Sequence, residues 1–423
     1  MNKVKKFDIA QILRNNAVTI TFVILCIVCL MFSGLQVSYL VFELFTRISR
    51  NAFIVLALII PIIAGMGINF AITIGAMGAQ IAILWVLEWG VPGFKGFLLA
   101  AALTIPIAGI FGWLVGLLLN KMKGQEMIGS MIMGYFANGL YQLLFLFIFG
   151  NIIPLSNPNL VIRGSTGVAN TLDLSRKDGI KHALENLGQI KPDLAVYILA
   201  AIMILIAAYM YLYKKDKTKK PFALAGIAVL MVAVSFTPIF KNWFSMVKIP
   251  VATYVLIGLL CLFNYVIMKT RLGQQFRAVG QSGTVANAAG INVNRVRLIA
   301  IIISTILAGI GQLMFVQNMG SFQTYGAHEQ VGLYAGAAIL VGGASIAGAT
   351  NGQALLGCVL FHTLFIVAPA AGKNLLGDAA IGEYFRVFIS YGVIAMALVM
   401  HAWRTVKKKK SLASNLADAS AKA

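Results

Sequence analysis

"FRAVGQSGTVANAAGINVNRVRLIAIIISTILAGIGQ", Phe276 to Gln312, joins two kinds of chain without a break. Up to Arg297 it is polar, rich in alanine and glycine, and carries Arg277, Arg295 and Arg297 with Arg271 just upstream. Beyond that it enters an apolar run, Ile299 to Gln317, close to the ~20 residues an α-helix needs to cross a bilayer core. A second such run, Ile249 to Met268, precedes it. A polar segment set between membrane-length apolar runs decides the class: a helical chain that crosses a membrane repeatedly.

The whole sequence agrees. Of 423 residues 60% are hydrophobic and 11% are charged, against about 25% charged for a soluble domain. Mean hydropathy is +0.87. The expected fold class is all-α, a polytopic transmembrane helical bundle of 10–12 spans with both termini cytoplasmic. A net charge of +21 does not make the chain a nucleic-acid binder, because no soluble domain clusters arginine with aromatics. Basic residues serve instead to hold loops inside and to meet anionic headgroups. Cys26, Cys29, Cys261 and Cys358 all fall in apolar runs, with neither a disulfide framework nor metal spacing. The N-terminal apolar stretch, Ala17 to Leu35, is too long for a signal-peptide core and reads as the first span.

Further apolar runs are Ala52–Asn69, Phe70–Trp89, Phe97–Leu119, Met127–Phe149, Leu194–Tyr213, Phe222–Phe240, Tyr334–Ala349, Ala354–Ala371 and Val387–Trp403. Gln36 to Arg50 reads as an amphipathic piece outside them. Tyr334–Ala349 is glycine-rich enough to be a broken or re-entrant segment. The organisation read from this is a cytoplasmic segment (1–16), an N-terminal transmembrane half (17–149), an extracytoplasmic loop (150–193) and a two-span insertion (194–248). A C-terminal half (249–403) follows, containing a cytoplasmic loop at 269–298, and a basic tail (404–423) closes the chain. With the N-terminus inside, 22 of the 34 basic residues fall in cytoplasmic segments, among them "KKDKTKK" (Lys214–Lys220) and "KKKK" (Lys407–Lys410).

Absent chemistry narrows the function. No G-x-x-x-x-G-K-[S/T] occurs, so the chain has no P-loop of its own. His182, His328, His362 and His401 lack ligand spacing, and no nucleophile–base set is visible, so neither a metal nor enzyme chemistry is expected. All thirteen acidic residues, Glu329 among them, read as lying in loops or near span ends, which counts against a proton- or sodium-coupled carrier.

Neutral polar residues recur inside spans at helical spacing. Tyr135, Asn138 and Gln142 share one face, Asn69, Thr73 and Gln80 another, and Thr305 and Gln312 a third. Such side chains either bond neighbouring helices or line a path for an uncharged polar solute. "GMGINFAITIGAMG" (Gly65–Gly78) and "VGGASIAGATNG" (341–352) are small-residue segments that bring helices close or break to line a cavity.

A transport chain without an ATP site needs a partner to supply work. Thr284 to Ala289, closed by Gly290, would form a short helix able to dock on an ATPase, with Arg277, Arg295 and Arg297 at headgroup level. An ordinary solvated loop fits the same residues.

The order Arg277, Ala278, Gly280, then Ala286, Gly290, Ile291, Asn292 and Val293 resembles the coupling loop of bacterial ABC importer permeases of the ribose/galactose, branched-chain amino acid and nucleoside group. Gly342, Gly343, Gly348, Gly352 and Gly357 resemble that group's glycine-rich segment, and the larger galactose/methyl-galactoside permeases resemble this chain most. Where the group often has Asn-Pro-Glu-Ala, this chain has Ser282, Gly283, Thr284 and Val285. The resemblance implies a multi-pass permease subunit in the cytoplasmic (inner) membrane, not an enzyme. It implies an importer of a small neutral solute, a galactose- or ribose-type monosaccharide or, alternatively, a nucleoside. Its partners would be a cytoplasmic ABC ATPase holding ATP and Mg, an external solute-binding protein and a second permease copy, with no cofactor on this chain and no nucleic acid. Arg277, Gly280, Thr284, Ala286, Gly290, Ile291 and Asn292 would couple to the ATPase. Asn69, Thr73, Gln80, Tyr135, Asn138, Gln142, Thr305 and Gln312 would line the path. A carrier working without an ATPase is the alternative of a different class.

Overall fold

The computed structural model describes residues 16–162, 167–212, 219–378, 380–388, 391–392, 395–396 and 399. The N-terminal segment up to Asn15, most of the first lysine run, all of the second and parts of Val387–Trp403 lie outside the described residues. In chain order come α1 (Ala17–Ser33), α2 (Val37–Ala57), α3 (Ile59–Ile63), α4 (Ile72–Glu88), α5 (Gly93–Lys121) and α6 (Glu126–Leu143), the last extended by a π-helical turn to Ile148. Next are β1 (Thr171–Asp173), β2 (Gln189–Ile190), α7 (Pro192–Leu212), α8 (Lys219–Ser235), α9 (Pro238–Trp243), β3 (Ile249–Pro250) and α10 (Val251–Ile267). Then follow α11 (Arg271–Gln281), α12 (Gly283–Ala288), α13 (Val293–Met319), β4 (Ser321–Gln323), α14 (Val331–Val341) and α15 (Asn351–Leu376).

The protein is a polytopic helical bundle. Among the described residues six helices, or seven if α10 and α11 are one span bent by 74°, are long and apolar enough to cross a membrane. Four more expected spans fold as shorter apolar helices, α1, α4, α8 and the 11-residue α14, and Val387–Trp403 lies in part outside the described residues. With the full-length helices they make ten or eleven apolar helices among the described residues, within the expected 10–12, and glycine ends the first of them early. Gly34 at the end of α1 sits at φ 62, a left-handed stop.

The amphipathic piece and the run after it are one element, Val37–Ile63, which corrects their separation. Its single break, at Leu58, has a local cause. Pro61 has no N–H to give the Ala57 carbonyl, and its ring crowds that carbonyl. Ser304 Oγ supplies the missing donor at 2.9 Å, and Asn264 Nδ2 donates to the Leu56 carbonyl at 3.2 Å. Side chains of α13 and α10 therefore satisfy backbone that would otherwise be unpaired in an apolar setting.

Small residues set the core. Gly109, Gly112 and Gly116 of α5 face Ile306, Ile302 and Leu298 of α13, and a Cβ on Gly112 would lie 3.0 Å from the Ile302 Cα. Gly309 of α13 sits against Gly75 of α4, where a Cβ would come 2.9 Å from the Gly75 carbonyl oxygen. The α4–α5–α13 trio is thus packed at backbone distance, as expected where helices gain by van der Waals contact rather than by expelling water.

The 27-residue α13 runs about 40 Å and fixes two opposite ends. At its start lie α11 and α12. At its finish β4 pairs antiparallel with β1 of the 150–193 segment, Leu172 opposite Phe322, and β2 pairs with β3. Leu160, Val168, Leu174, Ile180 and Leu184 are buried beneath that segment, which makes it a folded cap. His182 donates its backbone N–H to the Gln317 carbonyl at 2.9 Å, while Asn318 and His182 both contact the buried Glu185 carboxylate. α7 and α8 pack chiefly on each other as a hairpin.

Candidate functional site

At the start of α13 the chain makes a compact helical pair. Thr270 Oγ1 and Ser282 Oγ cap α11 and α12, accepting from Gly273 N and Val285 N, both at 3.3 Å. Gly290 turns the chain at φ 81, and Asn292 Oδ1 caps α13 by accepting from Arg295 N at 3.0 Å. Arg277 donates to the Met268 carbonyl at 2.5 Å across the α10–α11 bend. Gly280 rests on the α3 end: a Cβ on Gly65 would lie 2.7 Å from its Cα. Ala286 is buried and Ile291 half-buried in a small apolar cluster with Phe276, Val279 and Val296.

Of the seven residues expected to couple, six therefore have jobs in shaping the pair, and Thr284 alone is an exposed side chain of α12. The face α12 presents outward also includes Val285, 68% exposed, with Asn287 and Ala288. Sequence reading passed over Val285; its signal was an apolar residue in a polar, hydrated segment. Beside this end, Arg297 of α13 pairs with Glu126 of α6, both side chains largely buried.

A polar chain crosses the bundle at the level of Gln80, halfway along α4 and about 12 Å from either end. Tyr141 donates its hydroxyl to Gln80 Oε1 at 2.7 Å and lies 3.0 Å from the Thr324 carbonyl. His328 places Nδ1 2.9 Å from Gln80 Oε1 and Nε2 2.8 Å from Asn138 Oδ1. Asn138 Nδ2 donates to Glu329 Oε1 at 3.0 Å. With its oxygen so placed, Asn138 requires the proton on His328 Nε2. Turning the Gln80 amide over lets its unpartnered Nε2 donate both to His328 Nδ1 and to the Tyr141 hydroxyl oxygen, whose own proton then goes to the Thr324 carbonyl, and keeps the buried ring neutral.

Glu329 thus lies in the turn just ahead of α14, as its reading as a loop residue near a span end has it, and its carboxylate is held by Asn138 at the cleft. After α13 the 321–330 segment turns back inward because Thr324 and His328 find partners there: Thr324 Oγ1 donates to the Ala169 carbonyl at 2.6 Å, and Tyr325 Oη to Val168 at 2.7 Å. The short α14 then ends at Val341, ahead of Gly342 and Gly343, so the run Tyr334–Ala349 is helical only in its first half.

Three cavities run in succession between the two ends. One of about 410 Å³ is lined by Gly280, Gly65, Glu126 and Met131. It shares Phe70 and Met131 with one of about 510 Å³, lined also by Thr73, Tyr135 and Asn138. That cavity shares Glu329 and Gln330 with a third of about 360 Å³, reached by Asn51, Gln323, Tyr334 and His362. Tyr135 is 73% exposed, so the middle cavity opens on the flank of the chain.

Of the eight expected path residues, Thr73, Tyr135 and Asn138 line this cleft. The others are placed elsewhere. Gln80 is buried in the polar chain. Asn69 Oδ1 accepts from Ala71 N at 3.1 Å. Thr305 bonds the Ile301 carbonyl of its own helix at 2.8 Å, and Gln312 Nε2 donates to the Ala327 carbonyl at 3.3 Å. Gln142, half-buried one turn beyond Asn138, lies outside the cavity linings described above. Helical spacing found shared faces but not which faces meet.

A family model described as branched-chain amino acid transport system / permease component matches residues 40–400. The chain is 29% identical over 195 residues to the "Probable ABC transporter permease protein YphD" of Escherichia coli (strain K12), covering 45% of this chain and 57% of that protein. It is 30% identical over 137 residues to the ribose import permease protein RbsC of the same strain, covering 32% and 40%. It is 26% identical over 169 residues to the nucleoside ABC transporter permease protein NupC of Lactococcus lactis subsp. cremoris (strain MG1363), covering 40% and 51%. The chain spans about half the length of the curated relatives it matches. No solved structure matches it.

Proposed function

Because the chain belongs to the family of branched-chain amino acid transport system permease components, we propose that it is the membrane-spanning permease subunit of an ATP-driven ABC importer for a small neutral polar solute. The chain is a multi-pass membrane protein of that family and not itself an enzyme. The solute is a monosaccharide of galactose or ribose type. An external solute-binding protein delivers it over the 150–193 cap, and a separate cytoplasmic ATPase, holding ATP and Mg, docks on α12. On this reading α11 and α12 face the cytoplasm together with both termini, in the cytoplasmic (inner) membrane.

The observation that carries the reading is the run of three cavities ending at Gly280, beside the exposed face of α12. A solute in that cleft sits within reach of any movement imposed on α12. Because the cleft opens on a flank, a second copy of the chain is the natural wall to close it. Arg277, Gly280, Gly290, Ile291 and Asn292 act by holding the helical pair in shape, and Thr284 and Val285 by touching the ATPase. The similarity to a nucleoside permease supports a nucleoside as the second reading.

Cells lacking this chain are expected to lose ATP-dependent uptake of radiolabelled galactose or ribose, and to regain it when the chain is restored. Loss confined to labelled adenosine would move the solute to the second reading. Uptake that persists without ATP and follows an ion gradient would overturn the proposal.

A further inference from the structure

Two of the three cavities of the cleft meet at one carboxylate. Glu329 lines both the 510 Å³ and the 360 Å³ cavities and is the charged side chain on either lining among the described residues. It is exposed to the cleft, yet it is not a freely moving surface group. Asn138 holds it at 3.0 Å, His328 holds Asn138 at 2.8 Å, and the buried Gln80 holds His328.

The surrounding charges leave its sign standing. Glu329 lies two residues ahead of α14, whose N-terminus carries roughly half a positive charge; a full negative charge outweighs it. Arg47 is paired with Glu43 at 2.8 Å, and Arg50 contacts Asn318, which contacts Glu185. Neither arginine lines these cavities. Arg386 pairs with Glu383 and lies over the Phe365 ring. The titratable neighbour in the smaller cavity is His362, whose Nδ1 is without a partner there.

We infer that Glu329 is the charge filter of the path, admitting neutral polyhydroxylated and cationic solutes and turning back anionic ones such as sugar phosphates and carboxylates. A carboxylate accepts hydrogen bonds from neighbouring hydroxyls, so a neutral polyol gains contacts where an anion meets repulsion. The inference rests on reading the cleft as the solute's path.

The test uses the full chain in membrane vesicles with a reporter, Tyr135→Cys, in the middle cavity. The probes are 2-(trimethylammonium)ethyl methanethiosulfonate, a cation, and 2-sulfonatoethyl methanethiosulfonate, an anion. The native cysteines are buried or half-buried, and the chain without the reporter gives the background. Relative to a free thiol, the cation is expected to react about fivefold faster than the anion, as a unit charge in a partly hydrated cleft dictates. Glu329→Gln, which keeps the shape and the Asn138 contact, should bring that preference close to one, while Glu329→Asp should retain it. An equal preference in the wild type and Glu329→Gln overturns the inference, as does a reporter that neither probe reaches. The labelling needs no ATP, so its failure leaves the uptake test standing, and uptake that persists without the chain while Glu329→Gln abolishes the labelling preference counts against the importer reading alone.

Discussion

Gly280→Ala is expected to destabilise the protein by about 1–2 kcal/mol net, although alanine is the better helix former. In α11 the substitution gains about 1 kcal/mol of helix propensity. Against that, the new methyl meets backbone on the opposite side: the Ile63 carbonyl oxygen lies well inside contact distance, and the Gly65 nitrogen is at 3.1 Å. A flexible side chain would move aside, but a carbonyl at the end of a helix does not, and overpacking of this kind costs about 1–3 kcal/mol, sometimes more. Gly283→Ala is the control one short turn on. A Cβ there would find only Val293 Cγ1 at 3.8 Å, ordinary contact. Thermal unfolding of the detergent-purified chain should show a clearly lower midpoint for Gly280→Ala and an unchanged or raised one for Gly283→Ala. Equal midpoints would mean that α11 does not rest on α3 as described.

The second large effect concerns Glu126 and Arg297. The Arg297 side chain is 8% exposed and that of Glu126 13%, and Glu126 Oε1 also accepts from Gly124 N at 2.9 Å. Glu126→Gln leaves a guanidinium buried without its countercharge, a loss of about 3–5 kcal/mol. Replacing both members, Glu126→Gln with Arg297→Met, removes the stranded charge, and most of the loss should return. The recovery is the decisive part. If the double variant unfolds as early as the single one, the pair is not what joins the starts of α6 and α13.

The same residues show what was legible in the sequence. The class was, because unbroken apolar runs such as Gly93–Lys121 leave few alternatives to a membrane helix. The Pro61 break is also visible, although its repair by Ser304 is not, since nothing local says that α13 passes there. Val37–Ile63 was divided because Glu43, Arg47 and Arg50 look like a membrane exit. Their pairing with each other and with Asn318 makes them compatible with a helix that continues. The coupling motif was legible as a pattern, but not the division of labour within it: Arg277, Gly280, Ala286 and Asn292 also shape the helical pair, while Thr284 and Val285 are exposed on α12. Glu329 was legible as a loop residue, but its neighbours in the cleft were not. Its place depends on His328 meeting Gln80 and Asn138 across separations of 248 and 190 residues, which no periodicity encodes. The available hint was a polar stretch leading into an apolar run too short to span.

The central claim is that α12 is where an ATPase drives this permease. The most direct measurement is affinity capture of the tagged chain from native membranes in mild detergent, comparing the wild type with Val285→Glu. The substitution alters an exposed side chain and leaves the Gly280–Gly65 contact and the caps of α11 to α13 untouched. The account predicts that an ABC ATPase accompanies the wild type and is lost with Val285→Glu at equal recovery of the chain. An ATPase retained equally by both, or absent from the wild type even after cross-linking, would contradict it.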